Sequence, residues 1–274
     1  MRLPDLAIEP LNRLPFALGS TSYVIPANIV TNVRALAPFV DDVELILFES
    51  QKISNMLTDK EVRALRKLAA EHGITYTVHL PTEYKVGVAD PCERQKYIVS
   101  ARRVIEICTP LEPRAWIVHL EGGNPNMSRS ERESWTSRCN ESLQAIVEAV
   151  SHPELLVVEN LGYPWQWHEQ LVASSGVSLC CDVGHLWLYF PEDWQTQLEG
   201  MLPRTSAIHL HGMAKGRDHI SLRQTHPEDV VAFLECLRRF KYFGIVTLEV
   251  FTENDFAESA QTVRDIWKSL SRAH

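Results

Sequence analysis

Residues 155–185 read LLVVENLGYPWQWHEQLVASSGVSLCCDVGH. This stretch contains two short apolar runs, Leu155–Glu159 and Ser178–Asp182, with a segment of helix length between them. Continuous apolar runs bounded in this way are typical of strands that are buried on both faces of a parallel sheet. The stretch therefore predicts a β-α-β unit, and both of its strands end in an acidic side chain.

The same unit recurs along the chain. Six further apolar runs have the length of a strand: Phe16–Gly19, Val43–Phe48, Thr75–His79, Trp116–His119, Ala207–His211 and Val246–Val250. Amphipathic segments with apolar residues at helical spacing include Asp59–Glu71, Arg94–Cys108, Glu131–Val150, Pro227–Phe240 and Asp255–Leu270. Eight strand–helix units predict an α/β protein with a closed (β/α)8 TIM barrel, because an open doubly wound sheet needs fewer units. No linker or low-complexity tract interrupts the pattern, so we expect one domain over residues 1–274.

The composition limits the kinds of partner. The 274 residues carry a formal net charge of -8, with 45% hydrophobic and 23% charged residues, which is ordinary for a folded soluble protein. The acidic balance lacks the basic surface that nucleic-acid backbones require, so we expect no nucleic-acid partner. No apolar run approaches the about 20 residues that span a bilayer, and Met1–Pro10 lacks the apolar core of a secretory signal. The six Cys form no CxxC pair, and we expect a cytoplasmic protein with reduced thiols and no membrane partner.

Ionisable side chains stand at the ends of six consecutive predicted strands. They are His79, His119, Glu159, Asp182 with His185, His209 with His211, and Glu249. In a (β/α)8 barrel the carboxyl ends of all strands meet at one face, where active sites are found. Burying so many ionisable groups without compensation would be very costly, and bound cations offset that cost. Carboxylates with neutral imidazoles suit zinc, manganese or iron, so we predict a site for several metal ions rather than a structural polar cluster.

Spacing ranks the candidate ligands around the sixth and seventh strands. Asp182 and His185 are three residues apart, which lets both side chains face the barrel axis. His209 and His211 share one face of their strand, because side chains alternate with a period of two. We predict that His211, nearer the strand end, is a metal ligand and that His209, one layer deeper, orients it.

The segment Met213–Ser221 supplies further candidates. His219 can fold back to another metal ion, while Lys215 and Arg217 can hold a phosphate group. The alternative for this segment is a solvated polar loop. Glu44 lies within the second strand and is expected to point inward beneath the site, where we group it with the substrate-binding candidates.

The strand-end residues resemble those of the xylose-isomerase-like barrels, a superfamily that contains the apurinic endonuclease IV family and the sugar epimerases. The resemblance implies metal ligands shared by both branches at Glu159, Asp182, His211 and Glu249. The endonuclease branch adds ligands that match His79, His119, His185 and His219, which implies a three-metal phosphoesterase centre. Arg217 stands where that branch has an acidic residue, and Asp218 is shifted by one position. We therefore expect two or three divalent ions, zinc or manganese.

A closer resemblance covers several segments, namely Leu18–Ala27, Asn32–Ala37, Val43–Glu49, His79–Pro81 and Glu159–Leu161. In these segments the chain is similar to the cobamide-remodelling phosphodiesterase family of the same superfamily. The resemblance implies hydrolysis of the phosphodiester in the nucleotide loop of cobamides (vitamin B12-type corrinoids), which yields cobinamide phosphate and an α-riboside. Glu159, Asp182 and Glu249 would then be the catalytic residues, and a cobamide would be the small-molecule partner.

Aromatic residues that follow the fifth and sixth strands would suit a large flat ligand such as a corrin ring. The candidates for substrate contact are Tyr163, Trp165 and Trp187, with Trp167, Tyr189 and Trp194 nearby. The alternative is that some of these rings pack beneath the loops as part of the core.

Three other functions remain as alternatives. A sugar isomerase or epimerase would need one metal ion and two glutamates that move a proton next to a carbonyl, and it would not require the extra pair His79 and His119. Repair of abasic DNA is disfavoured by the acidic charge balance. A corrinoid-binding protein without catalysis would leave the phosphodiester intact.

Overall fold

The computed structural model describes residues 14–49 and 54–272. Its barrel strands are β1 (Ala17–Thr21), β2 (Asp42–Ile46), β3 (Thr75–His79), β4 (Trp116–His119), β5 (Leu156–Glu159), β6 (Ser178–Asp182), β7 (Thr205–Leu210) and β10 (Ile245–Leu248). They pair in parallel and close in the order β1-β10-β7-β6-β5-β4-β3-β2. The predicted α/β class and the closed (β/α)8 barrel are confirmed.

Helices lie between successive barrel strands and cover the outside of the barrel. They are α1 (Ile29–Leu36), α2 (Asp59–His72), α3 (Pro91–Cys108), α4 (Arg129–Val147), α5 (Gln166–Ser175), α6 (Val183–Tyr189), α7 (Trp194–Met201), α8 (Pro227–Arg239) and α9 (Glu253–Arg272). Thr58 and Glu61 form the capping box that begins α2. Asp90 caps α3, with Pro91 in its first turn. Local capping chemistry therefore sets the start of both helices.

Five strands have boundaries that differ from the prediction. β1 begins one residue and ends two residues later than Phe16–Gly19, and β5 begins at Leu156 rather than Leu155. β2 begins and ends earlier than Val43–Phe48, β7 ends at Leu210 rather than His211, and β10 ends at Leu248 rather than Val250. Beyond β10 the backbone N–H of Glu249 still donates a hydrogen bond to Leu210 O at 3.1 Å. The two predicted ligands His211 and Glu249 therefore lie just past the ends of their strands.

The inside of the barrel has its own small apolar layer. Ala115, Ile117, Val157, Cys180 and Ala207 form a buried cluster separate from the main core. The main core lies between the strands and the helices and includes the alternate strand residues, because side chains alternate with a period of two. Above the inner layer, the inward-facing strand ends carry the ionisable groups.

The segment after β7 forms a β-hairpin rather than the solvated loop that was one expectation. β8 (Gly212–Ala214) pairs antiparallel with β9 (Arg217–Ile220). Lys215 and Gly216 form its two-residue turn with φ of 54° and 72°, the sign that a type I′ turn requires at both positions. The hairpin returns the chain to the barrel, where His219 N donates a hydrogen bond to His211 Nδ1 at 3.0 Å.

Two sequence predictions extend beyond the described residues. Met1–Pro10, for which we expect no secretory signal, lies outside them, and a single domain over residues 1–274 stays a prediction. Within residues 14–49 and 54–272, no helix is both long and apolar enough to cross a membrane.

Candidate metal centre

Strand pairing brings the predicted ligands together at the carboxyl end of the barrel. His119 lies opposite Glu159 in the pairing of β4 with β5. Asp182 lies opposite His209 in the pairing of β6 with β7. Glu159 and Asp182 are 1% and 0% exposed. Side chains that are far apart in sequence therefore converge in one buried cluster. Five overlapping sets of donor atoms in it lie close enough together to hold a cation, and three of these sets are named groups A, B and C below.

Group A consists of His79, His119 and Glu159. The two Nε2 atoms of the imidazoles are 3.2 Å apart, and His119 Nε2 is 2.9 Å from Glu159 Oε2. His79 Nδ1 lies 2.9 Å from Leu80 O, and a carbonyl oxygen only accepts, so this nitrogen carries the proton. In a neutral ring, His79 Nε2 then presents a lone pair to the other two donors.

Group B consists of Glu159, Asp182, His209 and Glu249, with one donor atom from each within 4.8 Å of the others. His209 Nδ1 is 3.2 Å from Glu159 Oε2 and 3.1 Å from Glu249 Oε2. Despite these short distances, His209 Nδ1 and Glu249 Oε2 make no hydrogen bond of acceptable geometry with any described residue. Buried polar atoms in folded proteins are nearly always paired, and a bound ion is one explanation for two that are not. All three predicted catalytic residues belong to this group.

Group C consists of His185, His211 and His219. His211 Nε2 lies 3.2 Å from Asp182 Oδ1, which connects this group to group B. The rings of His211 and His219 stack with centroids 4.1 Å apart. Predictions that placed His185 and His219 near the same site as His211 therefore agree with the geometry.

The structure places His209, rather than His211, beside Glu159, Asp182 and Glu249, and the predicted roles of the two histidines stay predictions. We expected His211 to join Glu159, Asp182 and Glu249, with His209 behind it, but His209 occupies that place. The physical reason is that the two histidines lie at different levels along the barrel axis. The register pairs His209 directly with Asp182, whereas His211 lies beyond the end of β7, with its Nε2 3.2 Å from Asp182 Oδ1 and 3.3 Å from Asp182 Oδ2.

Burial and charge act in opposite directions on the pKa values of this centre. Burial alone would raise the pKa of Glu159, but His119 and His209 hold it well below its usual value. Burial likewise opposes protonation of His119, yet Glu159 raises the pKa of this imidazole to about 10. Burial would also raise the pKa of Glu249, and His209 keeps it well below its usual value. The attraction that favours protons on these rings favours a divalent cation among the same atoms.

Lys215 and Arg217, the predicted phosphate contacts, lie on the exposed part of the hairpin. Asp218, between Arg217 and His219, has its Oδ1 3.2 Å from His219 Nδ1 and orients that ring from outside. The hairpin therefore carries two positively charged side chains close in sequence to His219 of group C. Their contact with a phosphate group stays a prediction.

The predicted substrate-contacting aromatics are buried. Tyr163, Trp165 and Trp187 are 3%, 8% and 3% exposed. The Tyr163 hydroxyl donates a hydrogen bond to Leu120 O at 2.6 Å, and the Trp187 ring packs edge-on against Trp194. These positions correspond to the alternative of packing beneath the loops, so any direct contact with a ligand stays a prediction.

Two exposed aromatics beside the centre are better placed to meet a ligand. Tyr189 is 49% exposed with its ring 5.9 Å from that of His185. Phe251 is 43% exposed with its ring 5.4 Å from that of His219. We did not single out Phe251 from the sequence, although its position two residues after Glu249 at a strand end is the signal that would have found it.

Asn160 is a second residue of the centre that was not singled out from the sequence. Its side chain accepts a hydrogen bond from Asp182 N at 2.7 Å and donates one to Asp182 O at 3.0 Å. Its backbone oxygen lies 3.0 Å from His185 Nδ1. Asn160 thus ties the end of β5 to the end of β6 and fixes two members of different groups.

Fold and site together define a (β/α)8 barrel with a buried, histidine- and carboxylate-rich centre at its carboxyl end. A family model described as xylose isomerase-like TIM barrel matches residues 33–270. The chain therefore belongs to the xylose isomerase-like TIM barrel family. Among the curated proteins, none matches the chain.

Solved structures with the same fold include both epimerases and an endonuclease. A D-tagatose 3-epimerase-like protein superposes with a TM-score of 0.77 at 18% identity, covering 94% of this chain and 99% of the other. A 3-keto-D-glucoside 4-epimerase from E. coli gives 0.68 at 15% identity, covering 94% and 99%. Endonuclease IV from Thermus thermophilus gives 0.69 at 17% identity, covering 92% and 99%. Identities of this size show a shared fold, and the choice between these chemistries depends on the site.

Proposed function

We propose that the protein is a metal-dependent phosphodiesterase that holds two or three divalent cations, zinc or manganese, at the carboxyl end of its barrel. The observation that carries this proposal is the presence of three adjoining donor groups instead of one. Group B alone supplies four protein ligands, which is enough for one ion. Groups A and C then provide His79, His119, His185, His211 and His219 for further ions.

The residues fit divalent cations on two independent counts. Imidazole nitrogens with carboxylate oxygens are the donor set that zinc and manganese accept. The buried atoms His209 Nδ1 and Glu249 Oε2 lack hydrogen-bond partners among the described residues, and a buried polar atom without a partner is destabilising. A cation at group B would satisfy both atoms.

Bound divalent cations would polarise phosphoryl oxygens and lower the pKa of a water molecule at the site. Glu159 suits a bridging position, because its Oε2 lies 2.9 Å from His119 Nε2 in group A and 3.2 Å from His209 Nδ1 in group B. Asp182 connects group B to group C in the same way, through its contact with His211. The two carboxylates thus hold the three groups at short distances from one another.

The substrate we propose is the phosphodiester in the nucleotide loop of a cobamide. Support comes from the segment resemblance to the cobamide-remodelling phosphodiesterase family and from Tyr189 and Phe251, whose exposed rings flank the centre and suit a flat apolar ligand. A net charge of -8 is better matched to a small phosphodiester than to a nucleic acid. Lys215 and Arg217 would neutralise charge on the phosphate from the hairpin.

The test is incubation of metal-loaded protein with a cobamide, simple phosphodiesters and ketohexoses, followed by mass spectrometry of the products. The proposal predicts cobinamide phosphate and an α-riboside from the cobamide. Hydrolysis of simple phosphodiesters alone would keep the reaction class and reject the cobamide. Binding of the cobamide with its phosphodiester intact would indicate a carrier, and no cleavage of any phosphodiester would contradict the proposal.

The second candidate is a sugar isomerase or epimerase that uses one metal ion. The observation in its favour is that group B is complete by itself and contains two glutamates, Glu159 and Glu249, each with an oxygen within 3.2 Å of His209 Nδ1. Such a pair can move a proton on and off the carbon next to a carbonyl. Conversion of a ketohexose by protein with a single ion per chain would favour this candidate over hydrolysis.

A further inference from the structure

Glu44 is a fully buried carboxylate on β2 that belongs to none of groups A, B and C, although one of its oxygens lies within 4.8 Å of donor atoms of His79 and Glu249. It is 0% exposed. Its Oε2 lies 2.9 Å from His209 Nε2, a ring whose side chain is also 0% exposed. We infer that Glu44 is a positioning residue: it fixes the ring of His209 so that Nδ1 faces Glu159 and Glu249. The inference rests on the metal binding included in the proposed function.

The chemistry of this contact determines which nitrogen of His209 is available. A carboxylate can only accept, so the proton between Glu44 and His209 belongs to Nε2. A neutral His209 ring then presents the lone pair of Nδ1 to group B. An imidazole that donates its other nitrogen to a carboxylate is the arrangement that orients metal-binding histidines in proteins.

Small residues leave room for this contact across the inside of the barrel. β1 and β10 lie between β2 and β7 in the barrel order, so the side chains of Glu44 and His209 must meet across two strands. In the register His209 is level with Thr247 of β10 and Gly19 of β1, whereas Glu44 lies opposite Thr21, two residues further along. A Cβ at Gly19 would lie 3.2 Å from Thr247 Oγ1 and 3.5 Å from Asp42 Cβ, which places all three on the inner face.

Asp42 provides a matched control on the same strand. It is also 0% exposed and lies two residues before Glu44, so the two side chains share the inner face. Its oxygens accept hydrogen bonds from Thr75 Oγ1 at 2.6 Å and from Thr77 Oγ1 at 2.8 Å. Asp42 is therefore a buried carboxyl group of the same strand whose hydrogen bonds go to threonines rather than to a member of groups A, B or C.

The experiment titrates metal-free wild-type protein, Glu44→Gln, Glu44→Ala and Asp42→Asn with Co²⁺, in competition with a chelator and with visible absorption as the signal. We expect Glu44→Ala to weaken the affinity for at least one ion by about 10- to 100-fold, the effect of losing a carboxylate behind a metal-binding histidine. Glu44→Gln should lose less of its affinity for Co²⁺, because the amide oxygen of the glutamine can still accept a hydrogen bond from His209 Nε2. Asp42→Asn should match wild type, and the number of ions at saturation should be the same in all four proteins.

Two results would overturn the inference. One is equal Co²⁺ affinity in Glu44→Ala and wild type, which would give Glu44 no influence on the centre. The other is one ion fewer at saturation in Glu44→Ala, which would make Glu44 a ligand itself, through the Oε1 atom that has no hydrogen-bond partner among the described residues.

A second readout separates this inference from the proposed function. The hydrogen-bonded Nε2 proton of His209 should give a downfield NMR resonance in wild type and Asp42→Asn that is lost in Glu44→Ala. If wild type binds no metal, the proposed function fails, and this resonance still decides whether Glu44 holds the ring. Its survival in Glu44→Ala would contradict the inference.

Discussion

Groups B and C are neighbours at the same end of the barrel, but different parts of the fold hold them. Glu159, Asp182 and His209 of group B lie on barrel strands and are 1%, 0% and 0% exposed. In group C, His211 follows the end of β7 and His219 stands on the hairpin with 26% of its side chain exposed. Group B is fixed by the register of the barrel, whereas group C depends on a short two-stranded element. We therefore expect damage to the hairpin to leave group B intact.

The largest effect should come from Glu159, because its carboxylate belongs to both group A and group B. We expect Glu159→Ala to lower the rate of phosphodiester hydrolysis by more than the about 100-fold that loss of a supporting residue costs. Circular dichroism and thermal unfolding should show a folded barrel. The exposed substitution Glu133→Gln is the control, and near-wild-type turnover in Glu159→Ala would contradict the metal mechanism.

Removal of His219 should have a smaller effect and a different signature. His219→Ala takes one donor from group C, so we expect a rate reduction of about 10- to 100-fold, with the ions of groups A and B retained. Gly216→Val should resemble it, since Gly216 has φ of 72° in the hairpin turn and a β-branched residue there is strained. Kinetics together with metal analysis of both variants test the distinction. A complete loss of bound metal in either variant would show that groups B and C are not independent.

The exposed, positively charged side chains of the hairpin should contribute still less to the reaction. We expect Lys215→Ala or Arg217→Ala to raise KM for the phosphodiester by up to about fivefold, as exposed charges contribute about 1 kcal/mol or less. The value of kcat should change little. Lys241→Ala, an exposed substitution before the start of β10 at the opposite end of the barrel, is the control. If KM rises equally in all three variants, the hairpin has no specific role in phosphate binding.

Asp42 should affect stability and leave catalysis unchanged. Burial raises the pKa of this carboxyl group from 3.8 to about 6, against the effect of its threonine hydrogen bonds. Its contribution is therefore fully present below pH 3.8 and is lost as the pH rises through about 6. Urea unfolding should show that, between these pH values, the free energy of unfolding of wild type falls by on the order of 1–3 kcal/mol more than that of Asp42→Asn. The same pH dependence in both proteins would contradict this assignment.

The sequence was sufficient to predict the barrel and the common location of most of the candidate ligands. Apolar runs identify buried parallel strands, and a side chain at the end of such a strand must lie near the mouth of the barrel whichever strand carries it. For this reason His79, His119, Glu159 and Asp182 could be placed at one end of the barrel without knowledge of their contacts, and their role as metal ligands stays a prediction. Their common location follows from topology alone.

The level of each side chain along the barrel axis, and the path of the chain beyond the strand ends, could not be predicted in the same way. The position of His209 rather than His211 beside Asp182 depends on the register between β6 and β7, which includes a shift between Leu179 and Cys180 that no periodicity reveals. The hairpin was missed because Lys215 is an unusual first residue for a turn that requires positive φ. The burial of Tyr163 depends on its hydrogen bond to Leu120 O, a contact between two different loops.

The number of divalent ions bound per chain tests the central claim most directly. Metal-free protein would be loaded with zinc or manganese, freed of excess ion and analysed by elemental mass spectrometry against protein concentration. Three adjoining donor groups predict two or three ions per chain. A single ion per chain, held at group B, would contradict the proposed multi-metal centre and favour the epimerase.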